Sequence, residues 1–216
     1  VQKNSVFGWL YERGLLGADA IFTSVRSHEN LLRETYGNQL KNITFVPYGL
    51  EMPDTVNKDS DSFVLWVARG EKWKNPQLFL DLAENFPRTS FVMIMPKKAE
   101  ESEFYDLIVS RAKTISNIRF IEQVPFPEIQ PYFNRAKIFV NTSEYEGFTF
   151  TMLQSGIGKT PVAYYKVNPD NIIKDYSLGY CADGDFEQLK FALDSLLNDE
   201  DNWKEKSENI GQYIRE

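Results

Sequence analysis

The feature that most constrains this chain is an alternation of two patterns. Short apolar or β-branched runs occur at 20–23, 43–46, 63–67, 91–95, 118–121, 138–141 and 161–164. Between them lie longer stretches of helical pattern, at 27–36, 76–85, 101–114, 128–135, 149–157, 186–198 and 201–214. Strand and helix taking turns in this way is the layout of an α/β protein, and it predicts a Rossmann-like, doubly wound parallel sheet. Seven strands are too many for one half-sheet.

The excess is explained by a shift in composition. At 51–62 apolar periodicity stops and turn-forming residues accumulate, from Glu51-Met52-Pro53-Asp54 to Asp59-Ser60-Asp61-Ser62. This stretch reads as a linker. Before it, residues 1–50 hold one strand-helix-strand unit, too small to bury both faces of a sheet, so they read as the tail of a preceding domain. After it, residues 63–216 are enough for a complete doubly wound domain. The chain starts with Val1, not Met, and enters a patterned segment almost at once, Phe7-Gly8-Trp9-Leu10-Tyr11. A piece of a longer protein is expected.

Several function classes are disfavoured by bulk properties. With 24 Lys and Arg against 31 Asp and Glu the net charge is -7, which argues against broad attraction to nucleic acid or anionic lipid. Any phosphate site has to be local. One cysteine, Cys181, excludes an internal disulfide, and one His with one Cys cannot supply the usual zinc ligands. A reduced, cytoplasmic, zinc-free protein is expected. The sequence has no apolar run long enough to span a bilayer, and 1–16 lacks the pattern of a signal peptide.

Two strand-to-helix connections carry residues suited to an anionic ligand. In open α/β sheets ligands sit at the carboxyl ends of strands. After 63–67 comes Ala68-Arg69-Gly70-Glu71-Lys72-Trp73-Lys74-Asn75-Pro76, with Pro76 near the first position of a helix. Arg69, through its planar fork, and Lys74, as a compact charge, could clamp a diphosphate; a solvated charged loop is the alternative. The second connection is Asn141-Thr142-Ser143-Glu144-Tyr145-Glu146-Gly147-Phe148-Thr149-Phe150. Free N–H groups at 148–151 and the positive end of a helix dipole suit a phosphate, and Gly147 permits close approach to the backbone. Glu146 could cap that helix instead. Two turns on, Gln154 could hydrogen-bond a ribose or face solvent.

Elsewhere the residues suggest ordinary roles. His28 reads as a first-turn surface residue and Cys181 as a small buried strand residue. Trp9, Trp66 and Trp203 read as core or helix-face groups, and Trp73 lies on the first loop. Asp170, in Asn168-Pro169-Asp170, has the setting of a turn residue.

The run from Glu144-Tyr145-Glu146-Gly147-Phe148 through Leu153-Gln154 to Gly158-Lys159-Thr160-Pro161-Val162 resembles the donor-binding signature of family 4 retaining glycosyltransferases of the GT-B fold. Four other segments resemble that family in the same order: Gly17 to Ser24, Val46-Pro47-Tyr48-Gly49, Arg69 to Pro76, and Tyr132 to Ser143. The resemblance implies the C-terminal half of a GT-B enzyme, transferring a sugar from a nucleotide-diphosphate sugar to a glycan or lipid-linked acceptor in polysaccharide biosynthesis. Hexosyl transfer is the type implied. Arg69 and Lys74 would bind the diphosphate and steady the leaving group without a metal, and no other cofactor is implied. Glu146 would lie beside the transferred sugar, with Gly147, Phe148 and Thr149 next to it. Val124, in Gln123-Val124-Pro125-Phe126-Pro127, falls in the loop that reads the base. The family's second glutamate falls on Gln154, which keeps an acceptor but loses the charge. The missing N-terminal domain would hold the acceptor and make any peripheral membrane contact. A non-catalytic nucleotide-sugar-binding module and a GT-B sugar-nucleotide epimerase are the other readings.

Overall fold

A strand-helix-strand unit has too few strands to enclose a core by itself, and the first part of the chain contains one, preceded by a helix. The computed structural model describes residues 6–51 and 63–215, and the chain divides into two compact units, Val1–Gly49 and Leu50–Glu216. In the first unit, helix α1 (Val6–Gly17) precedes strand β1 (Ile21–Thr23), helix α2 (Arg26–Tyr36) and strand β2 (Ile43–Phe45). The two strands pair in parallel. Arg33 ties α2 to β2, donating to the Ile43 carbonyl at 2.8 Å while bonding Glu29. Phe7, Trp9, Leu10 and Tyr11 of α1 are exposed, so Trp9 is a surface group. The α1 segment was not among the helices expected from the pattern. Except for Glu51, the linker read at 51–62 lies outside the described residues.

The second unit is built on six parallel strands. Three are β3 (Phe63–Val67), β4 (Ser90–Ile94) and β5 (Ile118–Ile121), joined through helices α3 (Pro76–Asn85) and α4 (Ser102–Ala112). Helix α5 (Gln130–Arg135) then returns the chain to the other side of β3, where β6 (Ala136–Asn141), β7 (Val162–Tyr164) and β8 (Gly179–Cys181) follow, joined by α6 (Phe150–Ile157) and α7 (Ile172–Asp175). The spatial order is β5-β4-β3-β6-β7-β8. Helices α8 (Phe186–Asn198) and α9 (Glu200–Tyr213) complete the chain.

Successive strand residues point to opposite faces, and each face closes a separate core. Val64, Trp66, Met93 and Val140 pack with residues of α3, α4 and α8, including Phe79, Ile108 and Leu193. Leu65, Ile94, Phe139 and Val162 pack on the other side with Phe133 of α5, Met152 of α6, Ile173 of α7 and Ile210 of α9. Continuous apolar runs are what burial on both faces demands. The expected doubly wound α/β sheet is therefore the one found. Among the described residues no helix is long and apolar enough to cross a membrane.

Strand β8 was not among the seven apolar runs, although Cys181 within it reads as a strand residue. It is three residues long, lies at the edge, and opens with Gly179 at φ +152°, where a Cβ would stand 1.9 Å from the Val162 carbonyl oxygen. Cys181 is in a strand, as expected, but this edge position leaves it half-buried.

Candidate functional site

Strand order fixes where a ligand can enter. From β3 the chain proceeds through β4 to β5 on one side, while β6 lies on the other. Connections leaving the carboxyl ends of β3 and β6 diverge and leave a crevice between them, the usual ligand position in such sheets. Arg69 and Lys74 follow β3; Glu146, Gly147, Phe148 and Thr149 follow β6. Both predicted loops therefore face the same switch point.

A chain of buried polar contacts joins them. The indole N–H of Trp66 donates to Thr142 Oγ1 at 2.9 Å, and that hydroxyl donates to the Lys74 carbonyl at 2.6 Å. The Glu144 N–H donates to the Trp73 carbonyl at 2.9 Å, and Asn75 Nδ2 donates to Glu144 Oε1 at 2.5 Å. Asn75 adopts the left-handed conformation, φ 48°, which Asn tolerates, and it directly precedes Pro76 at the start of α3. Trp73 and Tyr145 stack, with centroids 4.8 Å apart and rings 9° from parallel. The two loops are held as one surface.

At its centre Lys74 Nζ donates to Glu146 Oε1, which also accepts from Ser143 Oγ at 3.0 Å. Their side chains are only 12% and 13% exposed, so this ion pair is largely shielded from water. Burial pushes the Lys74 pKa below its ordinary value, against the opposing pull of Glu146. The lysine also sits over the Trp73 ring, 3.9 Å from its centroid.

Arg69 is placed differently. Its side chain is 64% exposed and approaches Glu71 Oε2 at 3.5 Å, while the Glu71 side chain is 3% exposed. Lys98, from the segment after β4, bonds the other oxygen of Glu71. Burial alone would raise the Glu71 carboxyl, but the Lys98 hydrogen bond and the charges of Arg69, Lys98 and Lys74 outweigh it and hold it below the usual range. Gly70 makes this packing feasible, because a Cβ there would lie 2.7 Å from the Tyr105 ring. The Gly70 N–H donates to the Pro96 carbonyl at 3.0 Å, linking the β3 and β4 loops.

Helix α6 starts at Phe150, with Thr149 as its cap, accepting from the Met152 N–H at 3.2 Å. The capping alternative for Glu146 is thereby corrected: Thr149 occupies the cap, and the Glu146 carboxylate turns to Lys74. Phe148 and Val124 are both partly buried against the second core. Gln154 is 4% exposed, not a solvent-facing residue. Its backbone carbonyl accepts from Gln130 Nε2 at 3.0 Å. Asp170 lies in the turn Pro169–Asn171 with a left-handed backbone, φ 49°, and His28 is exposed on α2. Glu71, Lys98, Thr142 and Asn75 were not predicted. Lys98 follows a strand end, which was the available signal; Glu71 and Thr142 act through contacts that spacing does not reveal.

The chain matches the family model described as glycosyl transferases group 1 over residues 50–216. It belongs to that family. No curated protein sequence matches it significantly. Among solved structures, this group 1 glycosyltransferase chain is similar to sucrose-phosphate synthase from Thermosynechococcus elongatus, with 16% identity and a TM-score of 0.80, covering 96% of this chain and 56% of that one. It is also similar to HepE of Anabaena, solved with UDP and glucose, at 12% identity and a TM-score of 0.77, covering 94% of this chain and 60% of that one. The C-terminal domain of the group 1 glycosyl transferase LpcC from Francisella tularensis gives 22% identity and a TM-score of 0.63, covering 72% of this chain and 84% of that domain. The fold is that of GT-B glycosyltransferase domains. The chain spans just over half the length of the sucrose-phosphate synthase it resembles.

Proposed function

We propose that this group 1 chain is the donor-binding half of a retaining, family 4 glycosyltransferase that moves a hexose from a nucleotide-diphosphate sugar to a glycan or lipid-linked acceptor. The observation that carries the reading is the Lys74–Glu146 contact, which brings a cation for the diphosphate and a carboxylate for the sugar together at the switch point. As the glycosidic bond breaks, negative charge develops on the diphosphate and positive charge on the sugar. Arg69 and Lys74 answer the first, replacing a metal in that role, and Glu146 orients the sugar hydroxyls and answers the second. The N–H groups at the start of α6 lie beside Gly147 and suit a phosphate oxygen. Gln154 takes the ribose as a neutral acceptor, and the loop containing Val124 receives the base. An upstream domain supplies the acceptor, and any membrane contact, in a cytoplasmic enzyme.

Calorimetric titration with UDP, GDP and ADP tests the donor half. At least one is expected to bind, and binding by none overturns the reading. Arg69→Ala and Lys74→Ala are each expected to weaken that binding; unchanged affinity in both removes the clamp. A binding module without catalysis is the second reading, favoured by Gln154, whose amide lacks the charge of the family's glutamate. Sugar transfer by a protein that includes the upstream domain, lost in Glu146→Ala, decides between the two.

A further inference from the structure

A diphosphate brings at least two negative charges into the crevice, yet the two cations assigned to it are not equally free. Lys74 is bound to Glu146, charge for charge. Around Glu71 the balance differs, because Arg69 and Lys98 approach the same carboxylate from two neighbouring loops. That carboxylate is 3% exposed, while the Arg69 and Lys98 side chains are 64% and 33% exposed. The Glu71 carboxylate therefore lies behind and the two cations lie outward, with Glu100 the further carboxylate whose charge reaches Lys98. Lys98 follows β4, which pairs with β3 in parallel, so both loops leave the carboxyl end of the sheet. The bond from the Gly70 N–H to the Pro96 carbonyl holds them together. Lys97, its neighbour, turns instead to Asp106 at 3.0 Å.

We infer that Lys98 is a third cation of the diphosphate subsite, kept beside Arg69 by their shared carboxylate. The ligand it takes is the diphosphate of the nucleotide sugar, so the inference rests on the donor-site reading above. It assigns the β4 loop to the site together with the β3 and β6 loops. A lysine in this position acts as a point charge, so arginine can substitute for it and a neutral side chain cannot.

The test compares the wild-type chain, Lys98→Arg and Lys98→Gln by calorimetric titration with UDP, GDP and ADP and the matching monophosphates. Lys98→Gln is expected to lose roughly fivefold in affinity for the diphosphate that binds, with a smaller loss for its monophosphate. Lys98→Arg is expected to retain diphosphate affinity. Equal losses for both ligands would identify a purely structural lysine and overturn the inference, as would no loss at all. If the wild-type chain binds none of the nucleotides, the donor-site reading itself fails. A second measurement needs no variant: acetylation of the wild-type chain, read by peptide mass spectrometry with and without the bound diphosphate. Lys98 is expected to be protected several-fold and Lys97 not, whereas equal labelling of Lys98 with and without nucleotide overturns the proposal.

Discussion

The charged groups around the β3 loop, with partners from the β4 and β6 loops, fall into two sets built on opposite plans. Around Glu71 the carboxylate is buried and its cations, Arg69 and Lys98, are exposed. In the Lys74–Glu146 pair both partners are shielded to nearly the same degree. The first set presents its cations outward to an incoming anion with no rearrangement. The second is neutral, and its lysine can meet a phosphate only by sharing or leaving Glu146. The difference suggests a division of labour, in which the exposed set captures the diphosphate and the shielded pair acts where charge develops. Electrostatic interactions are stronger where water is excluded.

This contrast predicts unequal losses on mutation. Lys74→Ala should be the most damaging, because it removes a shielded cation and leaves the Glu146 carboxylate partly buried without its partner. Turnover by a protein containing the upstream domain is expected to fall by roughly a hundredfold or more, in the range for removing one preorganised charge stabiliser. Arg69→Ala should cost less, about tenfold in nucleotide affinity, since an exposed cation is screened by solvent and backed by Lys98. Equal losses in the two variants, measured as turnover and as calorimetric affinity, would erase the proposed division.

The contact that holds the pair in place can be broken separately. Thr142→Val keeps the side-chain shape but leaves the Trp66 N–H and the Lys74 carbonyl without their partner. A loss of about 1–3 kcal/mol in domain stability is expected from denaturant unfolding. Nucleotide affinity should fall as well, because Lys74 then loses its backbone anchor. A fully stable variant with weaker binding would show that the Trp66–Thr142–Lys74 chain positions the site without supporting the fold.

How much of this was legible beforehand follows from the range over which each contact acts. The apolar run Phe63-Val64-Leu65-Trp66-Val67 marks a strand locally, Pro76 marks the start of the helix after it, and the run at 138–141 marks the strand before the second loop, so both loops of the crevice could be located in advance. The edge strand β8 carries no such signal, since its three residues depend on β7 for pairing and on Gly179 for close approach. Helix α1 has apolar residues interspersed with Gly8, Gly14 and Gly17, so it shows no clear one-sided stripe. Lys74 and Glu146 are 72 positions apart, and no periodicity relates them. Spacing placed each residue on a strand-end loop; only the sheet order brings the loops together. The burial of Gln154 is likewise a property of the α5–α6 packing rather than of its own sequence neighbourhood.

The smallest expected effect concerns how each set responds to pH. Glu71 has a folded pKa held below 4.5, so the unfolded chain takes up its proton first as pH falls. Its stabilising contribution is full above 4.5 and disappears as pH drops through the folded value. Lys74 is also shifted down, from 10.5, and the same linkage gives it the opposite consequence at neutral pH. Its contribution is complete only above 10.5 and fades as pH falls through its folded value, so near neutrality the buried ammonium is a standing cost to the fold. Difference curves of stability against pH, wild type minus Glu71→Gln and wild type minus Lys74→Met, separate the two. The first should decline on the acid side, below about 4.5. The second should rise on the alkaline side, approaching 10.5. A flat alkaline curve for Lys74→Met would mean that the lysine is solvated and that the two sets do not differ in shielding.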